Sequence, residues 1–372
     1  MNNAYKIILL FLFIFSSNAS LAQLLEGTVV DSKTNETLPG ATVYLDGTTI
    51  STITDANGYF KIYTKGSNAS LVVSFVGYST YRLDNTPQYA NKKLKVLLVE
   101  ESIHLDEVVI GRGPFSRKQM MRVFRQEFLG ESKAGRSCKI LNEDDIVLYF
   151  DVTNNTLNAS SRNPLKIINK HLDYEINFDL EELKVYYNYK TLDKFNQSRS
   201  FFAGTTFYKD VSKNNKANKK RKEAFQGSAT HFVLTLANNE WIKEDIRLFV
   251  EGFQVNPNEY FKVEDTLGLK KVTLIKQPQK AVGEIKVQET LNNTMRISKT
   301  KKDKFIKSNF NILYDRKEQS IVDFIEKVIY VDKNGNYSPI FGILYGGYIG
   351  TLKAGDMLPS DYYQTIKEMQ KQ

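Results

Sequence analysis

The stretch GTVVDSKTNETLPGATVYLDGTTISTITDANGYFKI, Gly27 to Ile62, decides the fold of the N-terminal region. It reads in period two. Ala41, Val43 and Leu45 share one face of a segment, and Phe60 and Ile62 share one face of another. Side chains that alternate in this way belong to strands with one buried side. Between these runs lies Asp55-Ala56-Asn57-Gly58. Asn-Gly tolerates the positive φ of a tight hairpin turn. Pro39-Gly40 is a second turn signal. The pattern continues outward. Leu71, Val73 and Phe75 fall on one side, with Val72 and Val76 on the other, and Leu94, Val96 and Leu98 align in KLKVLLV. Short strands spaced about ten residues apart, with Gly, Asn and Asp between them, predict a β-sandwich.

Upstream, MNNAYK is a mildly basic start and Ile7–Phe15 is a nine-residue apolar run. Ser20-Leu21-Ala22 then places small residues before Gln23. This predicts a secretory signal peptide over 1–22 and an exported mature chain. No cysteine follows the apolar run, so lipoprotein attachment there is not expected. No later run reaches the roughly eighteen apolar residues of a spanning helix. Cys138 is the one cysteine, so no intrachain disulfide is available, and a lone small thiol reads as a packed side chain.

The formal charge is +9. Much of it lies in KNNKANKKRK, 213–222, and KTKKDKFIK, 299–307. Both read as solvated loop or helix faces. The other reading is peripheral contact with an anionic membrane surface. Export argues against nucleic acid as a partner.

ESIHLDEVVI, 101–110, contains His104-x-x-Glu107, and His231 lies downstream. Paired His and Glu with a distant His is a zinc-peptidase arrangement. The context argues against it. The preceding residues are spent on a β-sandwich, and Ile103, Leu105, Glu107 and Val109 alternate as a final strand or its exit. His231 falls in GSATHFVLTLANN, read as a helix with Ser228 at its N-cap and Phe232, Val233, Leu236 and Ala237 at helical spacing. A Ser228–His231 hydrolase dyad is the sharper alternative, but no G-x-S-x-G elbow accompanies it. His171 precedes a strand and has no ligand-spaced partner. Asp55-x-Asn57-Gly58 and Asp332-Lys333-Asn334-Gly335 read as hairpins, because no calcium-loop acids follow them. No catalytic, cofactor-binding or metal-ligating residues are therefore assigned, and no cofactor is expected.

SRKQMMRVFRQEFLGES, 116–132, predicts a helix with an apolar stripe of Met120, Met121, Phe124 and Phe128, ending near Gly130. From Cys138 the chain is largely strand-like and aromatic. Segments include DIVLYFDV, YEINFDL, LKVYYNY, SFFAGTTFYKDV, IRLFVEGFQV, KKVTLIK, EIKVQET, NILYD, EKVIYVD and GILYGGYIGTL. One long helix is expected at about 219–238 and a short one from Asp361. A membrane barrel is the alternative for such aromatic strands, but charges interrupt both faces, as in EELKVYYNYK. The expected fold is mainly β with some α. A β-sandwich at 23–110 is followed by a connecting segment and helix at 111–135 and a β-rich α+β domain at 136–372.

The first of these regions resembles the carboxypeptidase-regulatory-like domain, a prealbumin-like sandwich of exported Gram-negative proteins. The matching elements are Gly27 with Asp31, Leu38-Pro39-Gly40-Ala41, Thr54-Asp55-x-Asn57-Gly58-x-Phe60, and Phe75-x-Gly77-Tyr78. The resemblance implies a fold and no chemistry. LDEVVI resembles the stretch that follows this sandwich in TonB-dependent outer-membrane receptors. Residues 115–362 resemble a family of exported bacterial proteins with the same N-terminal sandwich, on segments such as FLGESKAGRSCKILNEDDIVLYFD, RKEAFQGSATHFVLTLANN and GDMLPSDY. Leu172-Asp173-Tyr174 departs from that family's Leu-Gly-Tyr, so no special turn is expected there.

The function these observations point to is a non-catalytic cell-envelope protein, periplasmic or outer-membrane associated. It would be a binding or assembly module with an envelope protein or glycan as partner. The alternatives are a zinc carboxypeptidase or other hydrolase, and an accessory protein of a TonB-dependent receptor system. A binding role predicts that the tyrosines between 174 and 208 share one exposed surface.

Overall fold

The computed structural model describes residues 23–100, 113–213, 216–289 and 295–369, with side chains outside 281–304 and 367–369. The predicted signal peptide, and His104 and Glu107, lie outside the described residues. The chain divides into two compact units, Met1–Val109 with Thr205–Phe207, and Ile110–Gly204 with Tyr208–Gln372.

The first unit is a β-sandwich. Its strands are β1 (Leu24–Asp31), β2 (Thr42–Leu45), β3 (Ser51–Ile53), β4 (Tyr59–Tyr63), β5 (Leu71–Ser74), β6 (Tyr81–Leu83) and β7 (Lys93–Leu98). One sheet has the order β4-β1-β7 and the other β3-β2-β5-β6. The alternating residues form the core, with Leu25, Val43, Leu45, Phe60, Leu71, Val73 and Leu98 fully enclosed. Val72 is buried as well, whereas Val76 lies beyond the strand and is exposed.

Gly27, Asp31 and the Asp55 turn of the carboxypeptidase-regulatory-like pattern have local causes. β1 runs antiparallel to β4 and parallel to β7, and Gly27 pairs with Leu94. A Cβ on Gly27 would lie 2.4 Å from the Leu94 carbonyl oxygen, so only glycine allows this approach. Asp31 Oδ1 accepts from the Lys33 and Thr34 N–H groups, and the Tyr78 hydroxyl donates to Oδ2. Asp55 Oδ1 accepts from the Asn57 and Tyr59 N–H groups across the turn that ends at Gly58, φ 69°. Asp332 Oδ1 repeats this on Asn334 and Asn336. Both carboxylates are therefore spent on their own turns.

The second unit opens with α1 (Arg117–Leu129) and α2 (Lys133–Ser137). Ser116 and Gln119 form a capping box at the start of α1. A sheet follows, built from β8 (Cys138–Ile140), β9 (Ile146–Asp151), β10 (Thr156–Ser161), β11 (Leu165–Asn169), β12 (Tyr174–Tyr187) and β13 (Gln197–Asp210). Its order is β8-β11-β12-β10-β9, with β13 on β12. The expected apolar stripe of α1 packs on the sheet. The Phe128 ring meets Phe178 and Phe202 edge-on at 4.9 and 5.4 Å.

The remainder has a second core around Phe232, Leu248, Phe310, Val322 and Ile329. Helices α3 (Asn218–Phe225) and α4 (Ala229–Asn238) precede strands β14 (Ile246–Val250), β15 (Phe253–Gln254), β16 (Phe261–Thr266), β17 (Leu269–Leu274), β18 (Gln279–Glu289), β19 (Met295–Lys307), β20 (Phe310–Tyr314), β21 (Glu318–Phe324), β22 (Val328–Val331), β23 (Tyr337–Ser338) and β24 (Ile343–Gly346). Helices α5 (Gly347–Thr351) and α6 (Tyr362–Met369) follow. The sheets are β15-β14-β20-β21-β24, β16-β17-β22-β23, and the hairpin β18-β19.

Several expectations need correction. The long helix at 219–238 is two helices. Gly227 takes φ 75° between them, and Ser228 caps the second. YEINFDL and LKVYYNY are one strand, β12, because no turn residue separates them. GILYGGYIGTL turns from strand into α5 at Gly347, which takes φ 63°. The basic run at 299–307 lies on strand β19 rather than on a loop or helix. Asp173 does adopt a left-handed turn, φ 54°, where the resembled family has glycine.

Candidate binding surface

The sheet of the second unit has one face on its core; on the opposite face Tyr149 is exposed, and Thr156 and Asn158 of β10 are buried. On β9 the residues Ile146 and Phe150 are buried and Tyr149 is half exposed. On β10 the core residues are Leu157 and Ala159, and on the paired part of β12 they are Leu183 and Val185. Strand alternation therefore puts Tyr149, Asp151, Thr156, Asn158, Lys184 and Tyr186 on the opposite face.

Register places these residues in two rows. Tyr149 pairs with Asn158, which pairs with Lys184. Asp151 pairs with Thr156, which pairs with Tyr186. β13 extends the second row. The Arg199 guanidinium carbon lies 4.3 Å from the Tyr186 ring centroid. Phe201 stacks on Tyr186 at 6.4 Å and 26°, and Phe341 meets Phe201 edge-on at 6.1 Å. Phe341 and its neighbour Ile340 are exposed.

Charge is arranged around these rings. Lys184 pairs with Glu182, and this hydrogen bond raises the lysine pKa. Asp151 Oδ1 accepts from the Thr153 and Asn154 N–H groups, and the Asn154 amide donates to Oδ2. These bonds, the side-chain one first, hold the carboxyl below its ordinary range. Among the described residues, Arg199 makes no ion pair with a carboxylate.

The tyrosines between 174 and 208 do not form the single exposed surface expected of them. Tyr174, Tyr187 and Tyr208 are buried. Tyr186 remains on the solvent face, and Tyr189 is exposed beyond the end of β12. The buried rings fall on the core side of alternating strands, which a count of tyrosines does not resolve. Tyr149, Arg199 and Phe341 carry the surface instead. The alternation in DIVLYFDV already sets Tyr149 opposite Phe150. Nothing local in the sequence joins Phe341 to Phe201.

Of the histidines, His231 and His171 fall among the described residues, and neither belongs to this face. His231 is in the first turn of α4, as expected, and Ser228 Oγ accepts its backbone N–H. The ring is buried. Nδ1 accepts from the Gly227 N–H, so Nε2 carries the proton and donates to Glu244 Oε2 at 3.0 Å. Burial lowers the His231 pKa despite the opposing pull of Glu244. Both ring nitrogens are thus engaged, and Ser228 serves as a helix cap. His171 sits in the β11–β12 connection, where burial lowers its pKa. Cys138 is half-buried, its thiol donates to the Ala134 carbonyl, and burial pushes its pKa to about 12.

A buried polar node lies between α1 and the segment before α6. Glu127 Oε2 accepts from Gln197 Nε2 and Ser200 Oγ, with Lys353 Nζ at 3.5 Å. Asp356 accepts from Ser132 Oγ and the Lys353 N–H, and burial raises its pKa. Asn169 donates to the Gly355 carbonyl. This node fastens GDMLPSDY to the first core of the unit.

Comparison with known proteins defines the first unit. Residues 25–110 match the family model of the CarboxypepD_reg-like domain. The chain is 34% identical over 122 residues to TonB-dependent receptor SusC of Bacteroides thetaiotaomicron, covering 32% of this chain and 12% of the receptor. It is 37% identical over 92 residues to TonB-dependent receptor P26 of Formosa agariphila, covering 25% and 9%. The chain thus matches only a small part of each receptor's length. A solved structure of a Bacteroides fragilis protein of unknown function is 14% identical and covers 52% of this chain and 83% of that one. Its TM-score is 0.17, and nothing about fold or function rests on it. The carboxypeptidase-regulatory-like sandwich expected from the sequence is therefore present, in a chain that is mainly β with some α.

Proposed function

We propose that this chain is a non-catalytic exported protein of the cell envelope, a binding or assembly module built on a CarboxypepD_reg-like β-sandwich. The observation that carries this reading is the domain match at 25–110, beside the partial similarity of the chain to TonB-dependent receptors. Three features support it. The first twenty-two residues have signal-peptide composition. Ser228 and His231 are occupied by capping and by Glu244. A sheet face of rings and charges in the second unit offers a surface for a partner.

A second reading makes the chain an accessory of a TonB-dependent receptor system. It is favoured by the match to SusC, which runs over 122 residues, a longer stretch than the domain match alone.

Cell fractionation with N-terminal sequencing tests the proposal. The expected result is a chain beginning at Gln23 in the periplasmic or outer-membrane fraction. A cytosolic chain that retains Met1 would overturn it. Co-isolation of a receptor from the same fraction would favour the accessory reading. Metal analysis of the purified protein, beside a His104→Ala/Glu107→Ala variant, tests the peptidase alternative. Stoichiometric zinc lost in the variant would support that alternative over the proposal.

A further inference from the structure

The geometry points to an acidic polysaccharide as the ligand of the solvent face centred on Tyr149, Lys184, Tyr186 and Arg199. This deepens the binding role proposed above and rests on it.

Arg199 carries the inference. Its guanidinium lies over the Tyr186 ring, and Phe201 packs against the same ring. Stacking orders the planar fork before any ligand arrives, so less rotamer freedom is lost on binding. The fork fits a carboxylate in bidentate fashion. The nearby acids are otherwise engaged, Glu182 with Lys184 and Asp151 with its own turn. Lys184 is taken up by Glu182 and Asp151 keeps its charge, so it is the Arg199 fork, not a net positive face, that meets an incoming carboxylate.

The rings supply the second half of the recognition. Tyr149 and Phe341 are half exposed or more, one at each side of the array. A pyranose has apolar C–H faces that lie on such rings, and hydroxyls for the Lys184 group between them, while Thr156 and Asn158 are buried beneath. A uronate-bearing chain combines these features with a carboxylate.

A protein partner fits less well. Protein interface cores are depleted in charge, whereas Tyr186 here carries the Arg199 guanidinium on its ring. An extended peptide docks on a sheet edge through backbone hydrogen bonds, but these groups stand on a sheet face.

The test is direct binding of the full chain to polygalacturonate, with pullulan as a neutral glucan and poly-L-glutamate as a charge-matched peptide. The proposal expects polygalacturonate to bind more tightly than either control at neutral pH and physiological salt. Arg199→Ala and Tyr149→Ala should each weaken it by about tenfold. Both side chains are exposed enough that the unfolding midpoints should not move. Failure to bind polygalacturonate would overturn the inference. So would equal binding to poly-L-glutamate or pullulan, or wild-type affinity in both variants. If the chain still fractionates with the envelope, such a result removes the ligand and leaves the proposed function standing.

Discussion

The Arg221 guanidinium lies 3.8 Å from the centroid of the Tyr174 ring and closes the turn at Leu172-Asp173. Its Nε donates to the Leu172 carbonyl, its Nη2 to the Asp173 carbonyl, and the fork pairs with Asp210. Arg221 belongs to a basic run whose composition reads as a solvated face, yet its side chain is buried.

Removing this cation strands two carbonyls and a carboxylate. Arg221→Ala should cost about 3 kcal/mol of unfolding free energy, and Arg221→Lys should recover less than half, since a point charge cannot replace the fork. Urea unfolding measures both. A loss below about 1 kcal/mol for the alanine variant would contradict the clamp.

Asp173 sits at φ 54° and carries the strain of a side chain in the left-handed region. Asp173→Gly should be neutral or stabilising by up to about 1 kcal/mol, and Asp173→Val should cost about 1–2 kcal/mol. Thermal unfolding of the pair reads the difference. Equal midpoints would mean that the turn is not under strain.

Two pH windows follow from His231 and Asp210. His231 has a lowered folded pKa, so the unfolded chain binds more protons below its ordinary value. Its contribution is whole above about pH 6.5 and declines as pH falls below that. Burial alone would raise the Asp210 carboxyl, but Arg221 and the Ser212 N–H hold it at about 2. Its contribution is present above the ordinary aspartate value and is lost between about pH 4 and about pH 2. Unfolding free energy against pH should show both limbs, and His231→Gln should flatten the upper one. An unchanged upper limb in that variant would remove His231 from the account.

Gly27 permits the close approach of β1 and β7. Gly27→Ala should destabilise the sandwich by about 1–3 kcal/mol, because the new Cβ would meet the Leu94 carbonyl. Gly40→Ala should cost less, since nothing lies within 4 Å of its Cβ and only φ 82° opposes it. Comparable losses would contradict crowding against Leu94 as the reason for glycine at position 27.

The sandwich was legible because its information is local. Period-two alternation, Asn57-Gly58 and Pro39-Gly40 each act within a few residues, and the sheets follow from them. The helix at 116–132 was legible for the same reason. The solvent face was only half legible. Tyr149 and Tyr186 can be assigned by alternation, but Arg199 over Tyr186 and Phe341 against Phe201 join residues far apart in the chain. Arg221 shows the converse failure, since its run of like charges hid the one cation that folds inward.

The measurement closest to the central claim is photo-crosslinking in living cells, with a photoreactive phenylalanine at position 149 and, as control, at the fully exposed position 267. The account predicts envelope adducts from position 149 and none from position 267. Adducts common to both positions, or absent from position 149, would contradict the assignment of this sheet face as the binding surface.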